Sequence, residues 1–167
     1  MSIDTTWLRC PNCLLDLSAI DDLVFGCPNG HRFDRARQGY LTLLPPRAPH
    51  TIGDDREMLA ARVALLDHGA YSPIAEAVAA AAAAVPAMAP GAPARIADLG
   101  CGTGYYSAAV ARTLPAATFL LADRSPDAVR ISLRALPHAT GVVLDLWRPL
   151  PIRDDTVDVA LNVFAPR

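Results

Sequence analysis

Apolar positions follow two different periods along this chain, and the change of period divides it. From Gly53 onward, the run DDREMLAARVALLDHG places apolar Met58, Leu59, Leu65 and Leu66 at helical spacing, with Asp54 or Asp55 as an N-cap and Gly69 as a stop. Ser72 followed by Pro73 opens a second, alanine-rich helix through about Val85, and MAPGAPA ends it as a linker. Beyond the linker, short apolar runs (RIADL, TFLLAD, GVVLD, VDVALNVFA) alternate with helical stretches at about 105–114 and 126–136, the second capped by Ser125. Strands alternating with helices predict a parallel, doubly wound α/β sheet. The first 49 residues show no helical period and are punctuated by Pro11, Pro28, Asn29 and Gly30, so they read as short strands and turns. A segment that small needs a staple. No internal repeat is present.

Composition narrows the class. The chain has 167 residues, 52% of them hydrophobic, which is enough for a small module joined to a medium one. All fifteen basic residues are arginine and alanine is abundant, a bias of genome composition rather than a functional mark. A net charge of −2 argues against a wholly basic nucleic-acid coat and leaves room for a local basic patch. MSIDTTWLRC contains no apolar core of a secretory signal, and the longest apolar run, 77–85, is too short to span a bilayer. The expected compartment is a reducing cytoplasm, so the four cysteines are not read as disulfides.

Three of those cysteines stand in the first segment. Cys10, Cys13, Cys27 and His31 form C-x2-C-x13-C-x3-H, two close ligand pairs that a hairpin can bring together. Thiolate and imidazole ligands suit Zn2+, and four protein ligands leave no open position, so the expected role is structural. Unliganded buried cysteines with a surface histidine would be the alternative, but the two knuckle-like turns CPNC and CPNGH speak against it. His50, His68 and His138 lack partner spacing and read as surface or capping residues. Directly after His31 come Arg32, Arg35 and Arg37, interleaved with Phe33 and Tyr40 and countered only by Asp34. A solvated charged turn would account for them; beside a zinc knuckle they are also candidate RNA-phosphate contacts.

The segment RIADLGCGTGYYSAAVA reads as strand, glycine-rich turn, helix. Asp98 closes the strand, and Gly100, Gly102 and Gly104 flank Cys101 and Thr103 as G-x-G-x-G, which lets backbone approach a ligand closely. Asp123 ends the next strand, where a carboxylate can hold ribose hydroxyls, and Asp145 ends the third. All three acids reach the carboxyl edge of the sheet, where ligands bind in such folds. A nicotinamide fingerprint prefers G-x-G-x-x-G, which this turn does not supply. The run D-x-G-x-G-x-G resembles instead the first motif of class I (Rossmann-like) methyltransferases, and that resemblance implies S-adenosylmethionine. It sets Asp98, the glycines and Thr103 beside the methionine part, Asp123 at the ribose, and Asp145 with Leu146 at the adenine. Cys101 reads as a small loop residue.

Together, the zinc cluster, FDRARQGYLTLLP, EMLAARVALLDHGAYSPI, DLGCGTGYY and LNVFAPR resemble the RlmA-like 23S rRNA (guanine-N1)-methyltransferases, including the tylosin-resistance type. The resemblance covers essentially the whole chain. It implies 1–49 as a zinc-ribbon-like module, 50–93 as a helical linker and 94–167 as the first half of an S-adenosylmethionine-dependent methyltransferase domain. It further implies methylation of a guanine in a hairpin of domain II of 23S rRNA, near where macrolides bind, with Tyr71 contacting the cofactor and Asn162 in the fourth-strand motif beside the reacting base. No residue is assigned as the base that removes the N1 proton. Members of the family continue beyond a fourth strand, so the chain reads as C-terminally truncated, its VDVALNVFA strand as an apolar edge, and turnover as a property of the longer protein. Two other readings are a small-molecule methyltransferase with a structural zinc cap, and a non-catalytic remnant that binds zinc and cofactor.

Overall fold

The computed structural model describes residues 3–44, 54–85 and 91–165. The first segment begins with a 3-10 turn, Thr5–Trp7, capped by Asp4, whose carboxylate accepts from Thr6 N at 2.9 Å. Three very short strands follow, β1 (Ser18–Ala19), β2 (Val24–Gly26) and β3 (Arg32–Asp34), paired antiparallel in that order. β4 (Tyr40–Thr42) does not join them.

The remaining elements are α1 (Arg56–Asp67), α2 (Ser72–Ala83), β5 (Arg95–Leu99), α3 (Tyr105–Thr113), β6 (Thr118–Asp123), α4 (Pro126–Ala135), β7 (Thr140–Val143) and β8 (Val159–Leu161). The large sheet runs β4-β7-β6-β5-β8 with every pairing parallel. Moving outward from β5 through β6 to β7 on one side and to β8 on the other, the strand order reverses at β5, and that switch point opens a crevice at its carboxyl end. β4 extends the β7 edge, so the chain of the first 49 residues contributes a strand to the sheet built by the rest.

Local chemistry explains the helix starts. Asp55 accepts from Met58 N at 2.9 Å to cap α1, and Ser125 accepts from Ala128 N at 3.3 Å to cap α4. At α2 the start differs from the expectation. Ser72 lies inside the helix, Tyr71 occupies the cap position without a side-chain bond, and Pro73 sits in the first turn, where its missing N–H costs nothing.

The faces of the sheet are covered by different layers. Strand alternation sends Ile96, Phe119, Leu121 and Val143 toward α2, α3 and α4, where they pack with Ala79, Val110, Val129 and Leu133. It sends Ala97, Leu120, Ala122 and Val142 the other way, into a cluster with Trp7, Leu8, Leu17, Phe25 and the ligand cysteines Cys10 and Cys27. Among the described residues, the metal-ligand module therefore fills the layer that helices fill in a doubly wound sheet. Polar bonds fasten it there. Leu8 bridges Ile152, Arg153 Nε donates to Leu8 O at 3.2 Å, Asp4 N donates to Thr140 Oγ1 at 3.0 Å, and the Arg95 guanidinium lies 3.8 Å from the Trp7 ring centroid. No helix among the described residues is long and apolar enough to cross a membrane.

Because the two layers share one core, they should unfold together. Trp7 is 1% exposed, so Trp7→Ala should destabilise the protein by about 3–5 kcal/mol. Far-ultraviolet circular dichroism during urea titration should show one transition, shifted to lower urea in the variant and, equally, after zinc chelation. Two separate transitions would show layers that fold independently.

Candidate functional site

The sequence brings Cys10, Cys13, Cys27 and His31 together through two tight turns. In the first, Leu14 N donates to Cys10 O at 2.8 Å and Cys10 N to Leu15 O at 2.7 Å; in the second, Gly30 N donates to Cys27 O at 2.9 Å and Cys27 N to His31 O at 3.2 Å. Each turn needs one left-handed residue, Gly30 at φ +82° and Leu14 at φ +58°. For Leu14 that conformation costs roughly 1–2 kcal/mol, and its N–H bond to Cys10 O is part of the turn that holds it.

Zinc–sulfur bonds of about 2.3 Å and zinc–nitrogen bonds of about 2.0–2.1 Å at tetrahedral angles require ligand separations of about 3.8 Å between sulfurs and about 3.6 Å between sulfur and nitrogen. Cys13 and Cys27 Sγ are 3.6 Å apart, and His31 Nδ1 lies 3.5, 3.6 and 3.3 Å from the sulfurs of Cys10, Cys13 and Cys27. The residues fit a tetrahedral zinc ion with Nδ1, rather than Nε2, as the imidazole ligand. Burial pushes the Cys10 thiol up to about 11, whereas at Cys27 burial is outweighed by hydrogen bonds from His31, which bring its thiol down to about 6, so it is the Cys10 sulfur that most needs a dication at the centre to become a thiolate.

On the other side of the sheet edge, a cavity of about 620 Å3 opens at the carboxyl ends of β5, β6 and β7, within the size range of cofactor sites. Tyr71, Asp98, Gly100, Gly102, Thr103, Asp123, Asp145 and Leu146 all line it. Gly104 does not. It stands in the left-handed region at the start of α3, where a Cβ would meet Ser132 Cα at 2.9 Å, so it serves the close approach of α3 to α4. Asn162, expected beside the reacting base, is exposed one residue past β8. The cavity wall is made by Val163, Phe164 and Ala165 instead, because the chain turns immediately after the strand.

The three carboxylates differ in what holds them. Asp98 accepts from Ser107 Oγ at 2.6 Å, and burial pushes its carboxyl up to about 6. Asp123 is likewise raised by burial, against the bonds it accepts from Ser125 N and Gly102 N, both at 2.9 Å. The Gly102 bond ties the glycine turn to the end of β6. For Asp145, burial is outweighed by the Trp147 N–H and by Arg124, whose guanidinium lies 2.8 Å away, so its carboxyl stays below the usual range. Cys101 Sγ donates to Ser132 Oγ at 3.4 Å and is buried in the cavity wall, which fits a small loop residue.

Several cavity residues escaped the sequence reading. α1 lies over the opening, its start anchored by Ser125 Oγ donating to Asp54 O at 2.8 Å and by the Arg56–Asp127 pair at 3.1 Å, and it contributes Arg62 and Leu65 to the wall. Tyr105 and Tyr106 contribute too, and their position directly after the glycine run was a readable signal. Arg124, Trp147 and Phe164 carried none. The three arginines near His31 stay outside the cavity. Arg32 and Arg37 are exposed, Arg35 is half-buried, and the Arg32 guanidinium donates to its neighbour's carbonyl, His31 O, at 3.1 Å.

Asp98 has a testable pH signature. Its folded value near 6 exceeds the ordinary 3.8, so its contribution to stability is complete below about pH 4 and is lost as pH rises through 6. Asp98→Asn lacks this loss. Between pH 4 and 7 the variant should gain on the order of 1–3 kcal/mol relative to wild type, read as the difference in denaturation free energies. A difference independent of pH would mean the carboxyl titrates normally.

The chain matches two family models, "RlmA, N-terminal", a zinc ribbon, over residues 8–50 and "Methyltransferase domain" over residues 96–166. It is 46% identical over 161 residues to a 23S rRNA (guanine(748)-N(1))-methyltransferase of Streptomyces fradiae, covering 96% of this chain and 56% of that protein. It is also 46% identical over 173 residues to a Micromonospora griseorubida protein provisionally described as a 23S rRNA (guanine-N(1)-)-methyltransferase, covering 96% and 58%. A trans-aconitate 2-methyltransferase of Mycobacterium tuberculosis (strain ATCC 25177 / H37Ra) matches at 36% identity over 73 residues, 43% of this chain and 28% of that protein. The chain thus spans little more than half the length of the two curated relatives that match it throughout. Over 96% of its length the chain is similar to these 23S rRNA (guanine-N1)-methyltransferases, and it joins sequence that matches an RlmA N-terminal zinc ribbon to sequence that matches a methyltransferase domain.

Proposed function

We propose that this chain forms the zinc-ribbon and cofactor-binding part of an enzyme that transfers a methyl group from S-adenosylmethionine to N1 of a guanine in 23S rRNA, in the cytoplasm. The observation that carries the reading is the cavity at the strand switch point, with a glycine turn and three acidic side chains at adjacent strand ends. In this proposal Asp123 accepts from the ribose hydroxyls, the turn from Asp98 to Thr103 borders the methionine part, Asp145 and Leu146 border the adenine, and Tyr71 closes the cavity from the start of α2. S-adenosylmethionine, when bound, supplies an electrophilic methyl on a sulfonium sulfur. The chain's part is to hold donor and acceptor in line and to exclude water, which α1 and the surrounding aromatic side chains favour by covering the opening. A paired guanine would first have to leave its stack.

Residues 1–49 serve in this proposal as the zinc module, 50–93 as the helical linker and 94–167 as methyltransferase sequence, with β4 carrying the chain from the first into the sheet of the last. Four protein ligands leave the zinc closed to substrate, so its role is structural. The match to the trans-aconitate enzyme, over 73 residues, is far too short to span both the ribbon and the methyltransferase domain, whereas the rRNA-enzyme matches cover 96% of the chain; that contrast favours RNA over a small acid as the substrate. Methyl uptake dependent on added 23S rRNA separates the two.

Asp123→Ala should weaken S-adenosylmethionine by about tenfold or more, since each charge-assisted bond contributes about 1.5–3 kcal/mol. Titration calorimetry on the intact protein checks this, and unchanged affinity would move the ribose elsewhere.

Replacing Arg32, Arg35 and Arg37 together with alanine should weaken an rRNA hairpin and flatten its salt dependence while leaving cofactor affinity unchanged. An unaltered salt slope would reduce the ribbon to a structural cap.

A further inference from the structure

Phe164 is strained and stands at the cavity wall. Its backbone lies in the left-handed region at φ +54°, an outlier for a bulky side chain, and the residue is 73% exposed. Strain of this kind persists where the surroundings impose it. Here the next residue, Ala165, lies so tightly against Gly100 that a Cβ on that glycine would collide with it, which locks the turn after β8 to the glycine-rich turn after β5. The ring is thereby held at the cavity wall, edge-on to Tyr71 with centroids 6.2 Å apart and tilted against Tyr106 at 6.1 Å. Those two contacts fix the ring beside Tyr71 and Tyr106 in the cavity lining.

Within the cavity, the arginine-paired carboxylate lies at Asp145 and Arg124, and an aromatic group lies at Tyr71, Tyr106 and Phe164, with the Arg62 guanidinium close enough to Tyr106 to act on it electrostatically. If the cofactor lies as proposed above, its methionine part and reacting methyl face the aromatic group. A methyl acceptor arriving there meets a rigid, uncharged, partly uncovered ring, which is the surface a planar nucleobase stacks on. We infer that Phe164 is the stacking platform for the extruded guanine, a substrate-binding residue held in a strained turn so that its face is presented before the base arrives. The inference rests on the rRNA reading.

The test uses the chain saturated with S-adenosylhomocysteine and two probes, a guanine-containing hairpin from domain II of 23S rRNA and the same hairpin with its loop guanines made abasic. Wild type should prefer the guanine hairpin by at least about fivefold, the low end of a base-stacking contribution. Phe164→Leu should abolish that preference while keeping both its affinity for the abasic hairpin and its affinity for S-adenosylhomocysteine; Phe164→Trp should restore the preference. A leucine variant that keeps the full preference overturns the assignment, as does one whose cofactor affinity falls in step with it, since the residue would then belong to the cofactor pocket. A wild-type chain with no preference between the hairpins overturns the rRNA reading itself, and this inference with it.

Discussion

The structure depends on one packing contact, the burial of Trp7 and Leu8 with the face of the parallel sheet that carries Ala97, Leu120, Ala122 and Val142. A three-stranded ribbon with strands of two or three residues cannot exclude enough water to fold by itself, and a parallel sheet with only one covered face would leave the opposite face wet. Each solves the other's problem. The cysteines Cys10 and Cys27 belong to the same cluster, so the metal site and the sheet are two parts of one core rather than two domains on a tether.

That arrangement places the ribbon behind the strands whose ends carry the cavity. Ala97 and Ala122 face the ribbon, while their neighbours Asp98 and Asp123 reach the cavity. Alternate positions along the same strands therefore serve the metal layer and the ligand layer. The Asp123 carboxylate adds a second fastening, since it accepts from Gly102 N and Ser125 N and so holds the glycine turn and the start of α4 to the same strand end. A ligand bound there meets backbone whose position is already set, which reduces the ordering cost of binding.

Charges of both signs occur in both layers: exposed Arg32 and Arg37 stand on the ribbon among Asp16, Asp21, Asp22 and Asp34, and Arg62 and Arg124 join the acids in the cavity wall. Inside the cavity, Arg124 neutralises Asp145 while Asp98 and Asp123 are left to burial, which raises both. A positively charged ligand group beside those two acids would relieve that cost.

The amino-acid sequence alone determined the elements and most of their chemistry. Helical spacing with a cap at Asp54 or Asp55 and another at Ser125 marked α1 and α4, apolar runs marked the strands after the linker, and C-x2-C-x13-C-x3-H marked the metal ligands, because each of these is a local pattern whose cause lies within a few residues. The acids Asp98, Asp123 and Asp145 were legible for the same reason, each standing at or just beyond the end of an apolar run. What only the tertiary structure decided is which surfaces meet. That β4 leaves the ribbon for the large sheet, that the ribbon rather than helices covers the second face, that α1 and Arg62 lie over the cavity, and that Phe164 rather than Asn162 stands at its wall all depend on contacts between residues far apart in the chain. Such contacts are selected by the shared core and by hydrogen-bond register, and neither leaves a periodic mark in the sequence.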